Sequence, residues 1–235
     1  MKENKKLSRM GEPAWILGIL LCSLGVCFSA KSGFGVSMVV APAYVLHCKL
    51  SELWEFFSFG VGEYVLQGAL VVLLCLVLRR FKWKYLLSFG TAVLYGASLD
   101  GWRLLFGEDV YGELWQRCLS CAGGALVTAL AIALLLRTYL PQQSYELVVK
   151  ELSLCRGWAL GRVKWIYDLS SLGAAILLML VLFGRFDPEM VGVGTLLLTV
   201  INTPLITMFG KLLDGFFDFK PMFPSFFRAF QKYCD

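Results

Sequence analysis

Long apolar stretches, separated by short polar or glycine-rich intervals, dominate the pattern along this chain. Six windows approach the roughly 20 residues an α-helix needs to cross a hydrocarbon core. They cover residues 15–30, 62–78, 85–106, 114–136, 165–183 and 190–209. Residues 32–60 are also apolar but are interrupted by Gly33, Gly35, Pro42 and Ser51. That pattern predicts a short broken helix entering the membrane surface, then an amphipathic helix starting at Ser51. Ser51 would cap it, with Glu52 and Glu55 in its first turn, where the helix dipole favours negative charge. At the far end, residues 221–235 mix Met222, Phe223, Phe226, Phe227 and Phe230 with Arg228 and Lys232. A helix lying in the membrane interface fits that mixture.

Composition agrees with the pattern. The chain has 235 residues, 58% of them hydrophobic and 17% charged, with a mean hydropathy of +0.68. A soluble domain carries about 45–50% apolar and about 25% charged residues. The excess calls for apolar solvent. The formal charge of +5 does not indicate nucleic acid, because the basic residues are not gathered on one face. If the N-terminus is cytoplasmic and all six windows cross, most of the 22 Lys and Arg fall on the cytoplasmic side. The outer loop 107–113 then holds Glu108, Asp109 and Glu113 and no basic residue. The expectation is a multi-pass protein of a bacterial cytoplasmic membrane with both termini inside.

The basic start and first apolar stretch resemble a signal peptide, but residues 28–30 lack the small residue a cleavage site needs; a retained helix is expected. The eight Cys lie mostly in apolar runs, as small hydrophobes. Cys118 and Cys121 have redox-motif spacing without a βαβ context, which favours a packed helix face.

A duplication organises the chain. Residues 63–74 align with 168–179 at a shift of 105, matching Glu63 to Asp168, Gly68 to Gly173 and Ala69 to Ala174. The match continues from Arg80-Phe81 to Arg185-Phe186. Gly90-Thr91 pairs with Gly194-Thr195, and the Gly33–Gly35 segment with the segment ending at Pro141, at nearly the same shift. Three crossings per half put the second half upside down. The expected fold class is an all-α membrane protein of about six transmembrane helices in two inverted-topology three-helix repeats, each with a short broken or re-entrant helix after its first crossing. The expected boundaries are a basic N-terminus over 1–13, repeats over 14–110 and 111–216, and a tail over 217–235.

The segment Ala30-Lys-Ser-Gly-Phe-Gly-Val-Ser37 resembles the Ala-Gly-Leu-Gly-Val-Ser stretch that follows the first helix in bacterial YczE/YyaS/YitT-type membrane proteins. Gly90-Thr91…Gly96…Asp100 and Gly192-Val-Gly194-Thr195 look like their Gly-Thr…Gly…Asp and Gly-x-Gly-Thr elements. The resemblance runs from the first apolar stretch to the sixth. It departs at Met38-Val39-Val40, where that family usually has Pro-Trp-Asp, and at Tyr139-Leu140-Pro141, which replaces a second Gly-Leu-Gly. It implies a fold more than an activity.

Ionisable groups inside apolar segments are costly and usually face a cavity or a partner. Glu63 and Asp168 are therefore the first candidates to line a pathway and bind a cation or relay protons. Asp100 is another, with Arg103 three residues on as a pairing partner. Lys31 and Arg137 share a repeat position near helix ends, and Ser98 falls opposite Asn202. Gly33, Gly35, Pro141 and Pro204 mark expected helix breaks, where unwound backbone can hold a substrate or ion. His47 is the only histidine, and no phosphate-cradling or nucleophile-elbow motif is present, so no enzyme, metal or cofactor is expected. The leading expectation is a secondary transporter or substrate-binding membrane subunit for a small metabolite or ion, as a homodimer or with a membrane partner. The alternative is a non-transporting adaptor or regulator.

Overall fold

The computed structural model describes residues 7–8, 10–54 and 56–223. Eight helices follow in order: α1 (Gly11–Ser32), α2 (Ala41–Leu50), α3 (Phe59–Leu78), α4 (Trp83–Phe106), α5 (Leu114–Leu135), α6 (Ser144–Arg156), α7 (Leu160–Phe183) and α8 (Val193–Phe216). Two short strands, β1 (Leu7–Ser8) and β2 (Phe217–Asp218), pair in parallel and bring the two ends of the bundle together. The order long, short, long, long occurs twice.

Five helices are long and apolar enough to cross a bilayer: α1, α3, α5, α7 and α8. As long as these, α4 is diluted by Gly, Ser, Tyr and the charged Lys84, Asp100 and Arg103. The apolar surface of these helices is largely uncovered. Val72, Leu76, Val181 and Val200 are each at least 60% exposed. Apolar side chains in the middle of long helices stay uncovered only where the solvent is lipid. This is a membrane protein.

At the centre, α1 and α5 run side by side along a seam of small residues. A Cβ on Gly25 would fall 2.2 Å from Thr128 Oγ1, and one on Gly124 would fall 2.8 Å from the Gly25 carbonyl oxygen. Small residues let the backbones approach closely, which is how helices gain packing energy where no hydrophobic drive exists. Around this axis the pairings repeat: α1 packs on α4 as α5 packs on α8, and α2 on α7 as α6 on α3. Two pairings do not repeat. α4 packs on α6, while α8 and α2 do not pack as a pair. α3 packs closely along α4, while α7 and α8 do not pack as a pair.

The helix expected to begin at Ser51 is not formed. Instead α2 ends at Leu50, and the Ser51 N–H donates to the His47 carbonyl, 2.9 Å away. The next cap is Ser58, whose extended backbone and hydroxyl, accepting from the Val61 N–H at 3.1 Å, start α3. Asp100 reinforces that choice by accepting from the Gly60 N–H at 2.7 Å and pairing with the Ser58 hydroxyl at 2.5 Å. Glu55 and the aromatic tail beyond Phe223 lie outside the described residues.

Candidate functional site

Two crossed straps hold the halves together. After α1 the chain turns through Gly33 and Gly35, both at positive φ (62° and 94°), which glycine adopts without strain. The second half receives this strap. Arg117 donates to the Ser32 and Gly33 carbonyls at 2.7 Å each, and the Gly194 N–H donates to the Phe34 carbonyl at 2.8 Å. A Cβ on Gly35 would lie 2.4 Å from Thr195 Oγ1. In the opposite sense, the strap ending at Pro141 is received by the first half. Trp15 Nε1 and Thr91 Oγ1 donate to the Pro141 carbonyl at 3.0 and 3.1 Å, and Ser88 donates to the Gln142 carbonyl at 2.5 Å. Thr91 and Thr195, aligned in sequence, both stand against a strap of the other half, Thr91 by a hydrogen bond and Thr195 by close contact.

Beside the straps, a cavity of about 610 Å³ opens between α7 and α8, floored by α1, α5, α6 and the strap at Ser37–Val40. Its size suits a small organic molecule. The polar lining comes from α6 (Glu146), α7 (Lys164 and Asp168) and α8 (Thr199, Asn202 and Thr203). Tyr95, Tyr145 and Tyr167 supply aromatic wall. Asp168 is 6% exposed. Its nearest cation is Lys164, with Nζ 3.5 Å from Oδ1. Among the described residues, Glu146 Oε2 and Asn202 Oδ1 are buried oxygens that accept no hydrogen bond, and Asp168 Oδ1 has only that Lys164 ammonium, too far for a good hydrogen bond.

Of the residues singled out from the sequence, Asp168 and Asn202 line this cavity. Glu63 does not; it is fully buried behind the wall, where Tyr145 and Gln67 donate to its Oε2 at 2.7 and 3.2 Å. The expected pair of carboxylates facing one space is thus divided. Asp100 binds Ser58 and the start of α3 instead of Arg103. Arg103 turns to Glu108 at 3.1 Å and His47 Nε2 at 3.0 Å. His47 in turn donates from Nδ1 to the Phe57 carbonyl at 2.9 Å, which fixes its neutral tautomer. Burial pushes the imidazole below its ordinary value, the Phe57 carbonyl opposes this, and Arg103 adds to it.

Lys31 and Arg137 are tethers. Lys31 Nζ donates to the carbonyls of Phe106, Gly107 and Asp109 at 2.8–3.1 Å, satisfying the open end of α4. Arg137 makes a two-pronged pair with Asp214 near the end of α8, both contacts 2.6 Å. Each repeat therefore uses the same position to anchor its own last helix. Ser98 is half-buried, bound to the Leu94 carbonyl at 2.8 Å, and off the cavity. At Pro204 the expected break does not occur: α8 runs through it unbroken. The lost N–H frees one carbonyl, and the helices around it tolerate that without unwinding.

The cavity also uses residues the sequence reading passed over. Thr199, Thr203 and Thr207 line it beside the expected Asn202, at spacings of three, four and eight from Thr199 that put all four on one face of α8. That polar stripe on an apolar helix was a readable signal. Glu146 and Tyr145 had none, because α6 had not been recognised as a helix. On the same helix but away from the cavity, Glu151 pairs with Lys84 and accepts from Tyr85 at 2.9 Å. Burial opposes its charge, but these two partners outweigh it and hold the carboxyl below its usual range.

Comparison with known proteins shows a family without naming an activity. A model of DUF6198, a family of unknown function, matches residues 11–211. The chain is similar to the uncharacterized protein YyaS of Bacillus subtilis (strain 168), 24% identical over 205 residues, which cover 86% of this chain and 92% of that protein. No solved structure matches.

Proposed function

The chain belongs to the DUF6198 family, and we propose that it is a solute-binding membrane protein, a small secondary transporter whose site is the cavity between its halves. One observation carries this reading: a polar-lined cavity of about 610 Å³, with buried acceptor oxygens left unpaired, in a protein whose outer surface is apolar. Leaving such oxygens unpaired costs about 1–3 kcal/mol each, a cost that a bound solute removes. In the fuller version of this reading α4 also crosses, which gives six crossings. The two halves are then inverted relative to each other, with both termini cytoplasmic, an architecture that recurs in secondary transporters with a site between the repeats. We read the cavity as a binding site without chemistry of its own, since its lining pairs no nucleophile with a base. His47 stands elsewhere, committed to Phe57 and Arg103.

The test is a thermal-shift screen of the full chain in detergent against a broad solute library, run beside Thr203→Trp, which fills the cavity. A solute at 100 times its Kd adds about 2.7 kcal/mol of apparent stability. Hits lost in Thr203→Trp, followed by uptake of the same solutes into proteoliposomes, are the expected result. A library without a single hit sensitive to Thr203→Trp contradicts the reading.

A further inference from the structure

Resting on the reading of the cavity as a solute site, we propose its substrate class: small organic cations bearing N–H donors, protonated amines or guanidines. Every side-chain atom left buried without a hydrogen bond among the described residues is an oxygen, and three of them, on Glu146, Asp168 and Asn202, line the cavity. Glu146 and Asn202 lack a donor, Asp168 has only the half-exposed Lys164 ammonium at 3.5 Å, and two of the three atoms sit on carboxyl groups. An anion would find the reverse of what it needs, because the lysines of the lining are the exposed members. Lys150 lies at the surface and the Lys164 side chain is 49% exposed. A bare metal ion is poorly served as well: among the described residues no group of three or more His, Cys, Asp or Glu is placed to hold one.

The rest of the wall favours an organic cation. Tyr95, Tyr145 and Tyr167 line the same space, and the rings of Tyr145 and Tyr167 stand 6.5 Å apart. Aromatic faces attract cations and give apolar contact to a short carbon chain. Lys164 already stands 3.5 Å from Asp168 Oδ1. It occupies the place a ligand's ammonium would take, so binding requires the ligand to displace it. That competition gives the proposal a sign that a folding defect cannot imitate.

The experiment is calorimetric titration of the full chain in nanodiscs with probes of one size and different chemistry: n-butylamine, n-butylguanidine, butyrate, n-butanol, tetramethylammonium and sodium. The amine and guanidine bind. Asp168→Asn and Glu146→Gln each weaken that binding at least tenfold, and Lys164→Gln tightens it. Butyrate and butanol do not bind, and tetramethylammonium, having no N–H, binds at least tenfold more weakly than the amine. The substrate class is overturned if butyrate or butanol binds as well as the amine. It is also overturned if neither acid variant moves the amine's affinity, or if Lys164→Gln fails to tighten it in a monodisperse protein. If solutes of another class bind, and Thr203→Trp abolishes this while both acid variants spare it, the amine proposal fails and the solute cavity stands. If nothing binds in a manner sensitive to Thr203→Trp, both fail.

Discussion

The pairs α3–α4 and α7–α8 carry the same positions of the repeat, yet one is shut and the other is open. In the first, Gly60 and Gly96 meet backbone to backbone; a Cβ on Gly60 would fall 2.2 Å from the Gly96 carbonyl oxygen. The repeat puts Trp165 (shift 105) and Val200 (shift 104, the one that pairs Thr91 with Thr195) at those places in the second half, and neither allows such an approach. Gly68 lies against Phe89, whereas nothing stands within 4 Å of a Cβ on Gly173. The acids follow suit. Glu63 accepts from Tyr145 and Gln67 on Oε2, with Oε1 left unpartnered, while the shift of 105 gives Asp168 Val40 and Leu172, whose side chains have no polar atoms to offer. The α3–α4 joint is thus sealed. At α7–α8 bulkier side chains stand in those places, and a cavity lined by Asp168 and Lys164 remains.

The largest effect expected from breaking this contrast is at the sealed joint. Gly60→Val drives a side chain into the α4 backbone, which has nowhere to move, and costs about 3 kcal/mol or more of stability in thermal unfolding. Gly173→Val, on the open pair, stays within about 0.5 kcal/mol of the parent. Equal losses at both sites would mean that the two pairs are equally packed.

Next come the acids. Tyr145→Phe removes a donor from the fully buried Glu63 and destabilises by about 1–3 kcal/mol. Asp168→Asn leaves stability within about 0.5 kcal/mol, or raises it, because Asp168 holds nothing else in place. The same thermal melts decide between these outcomes. A transplant sharpens the point: Leu172→Gln offers Asp168 the partner that Gln67 gives Glu63. The expected result is about 1 kcal/mol of added stability together with weaker solute binding. Added stability with unchanged binding would remove Asp168 from the site.

The smallest effect is on pH dependence. Because burial and Arg103 hold the folded His47 imidazole below its ordinary value, the unfolded chain takes up the proton first as pH falls. Stability is therefore full above about 6.5, the ordinary histidine value. It declines as pH drops below that and levels off once the lowered folded value is passed. His47→Gln flattens the decline over this window. An unchanged slope in the variant would assign the dependence to other groups.

The sequence announced much of this architecture and less of its chemistry. Apolar windows marked all six long helices, because a helix in lipid must be apolar over nearly its whole length. The Gly33–Gly35 and Gly192–Thr195 motifs were visible as short matches, and the strap they form explains their residues: Gly35 and Gly194 leave room where another residue would collide with Thr195 or Phe34. Asp168 and Asn202 stood out as polar groups in apolar runs. What stayed hidden depended on partners far apart in the chain. Glu63 and Asp168 look alike in sequence, and only the folded positions of Gln67 and Tyr145 separate them. Lys31 and Arg137 look like site residues until the ends of α4 and α8 arrive beside them. Glu146 was concealed because a 13-residue helix, α6, gives too short a signal between two long apolar ones.

The most direct test of the open second half compares one residue from each half. Thr203 on α8 lies on the cavity, whereas Ser98 on α4, which the repeat sets opposite the neighbouring Asn202, lies off it. With the native cysteines replaced, Thr203→Cys and Ser98→Cys are treated in nanodiscs with a charged, membrane-impermeant thiol reagent, and labelling is followed by mass. Rapid labelling at 203, at least tenfold faster than at 98 and slowed by n-butylamine, is the predicted result. Equal rates, or a cysteine at 203 that does not react, would contradict a water-accessible cavity between α7 and α8.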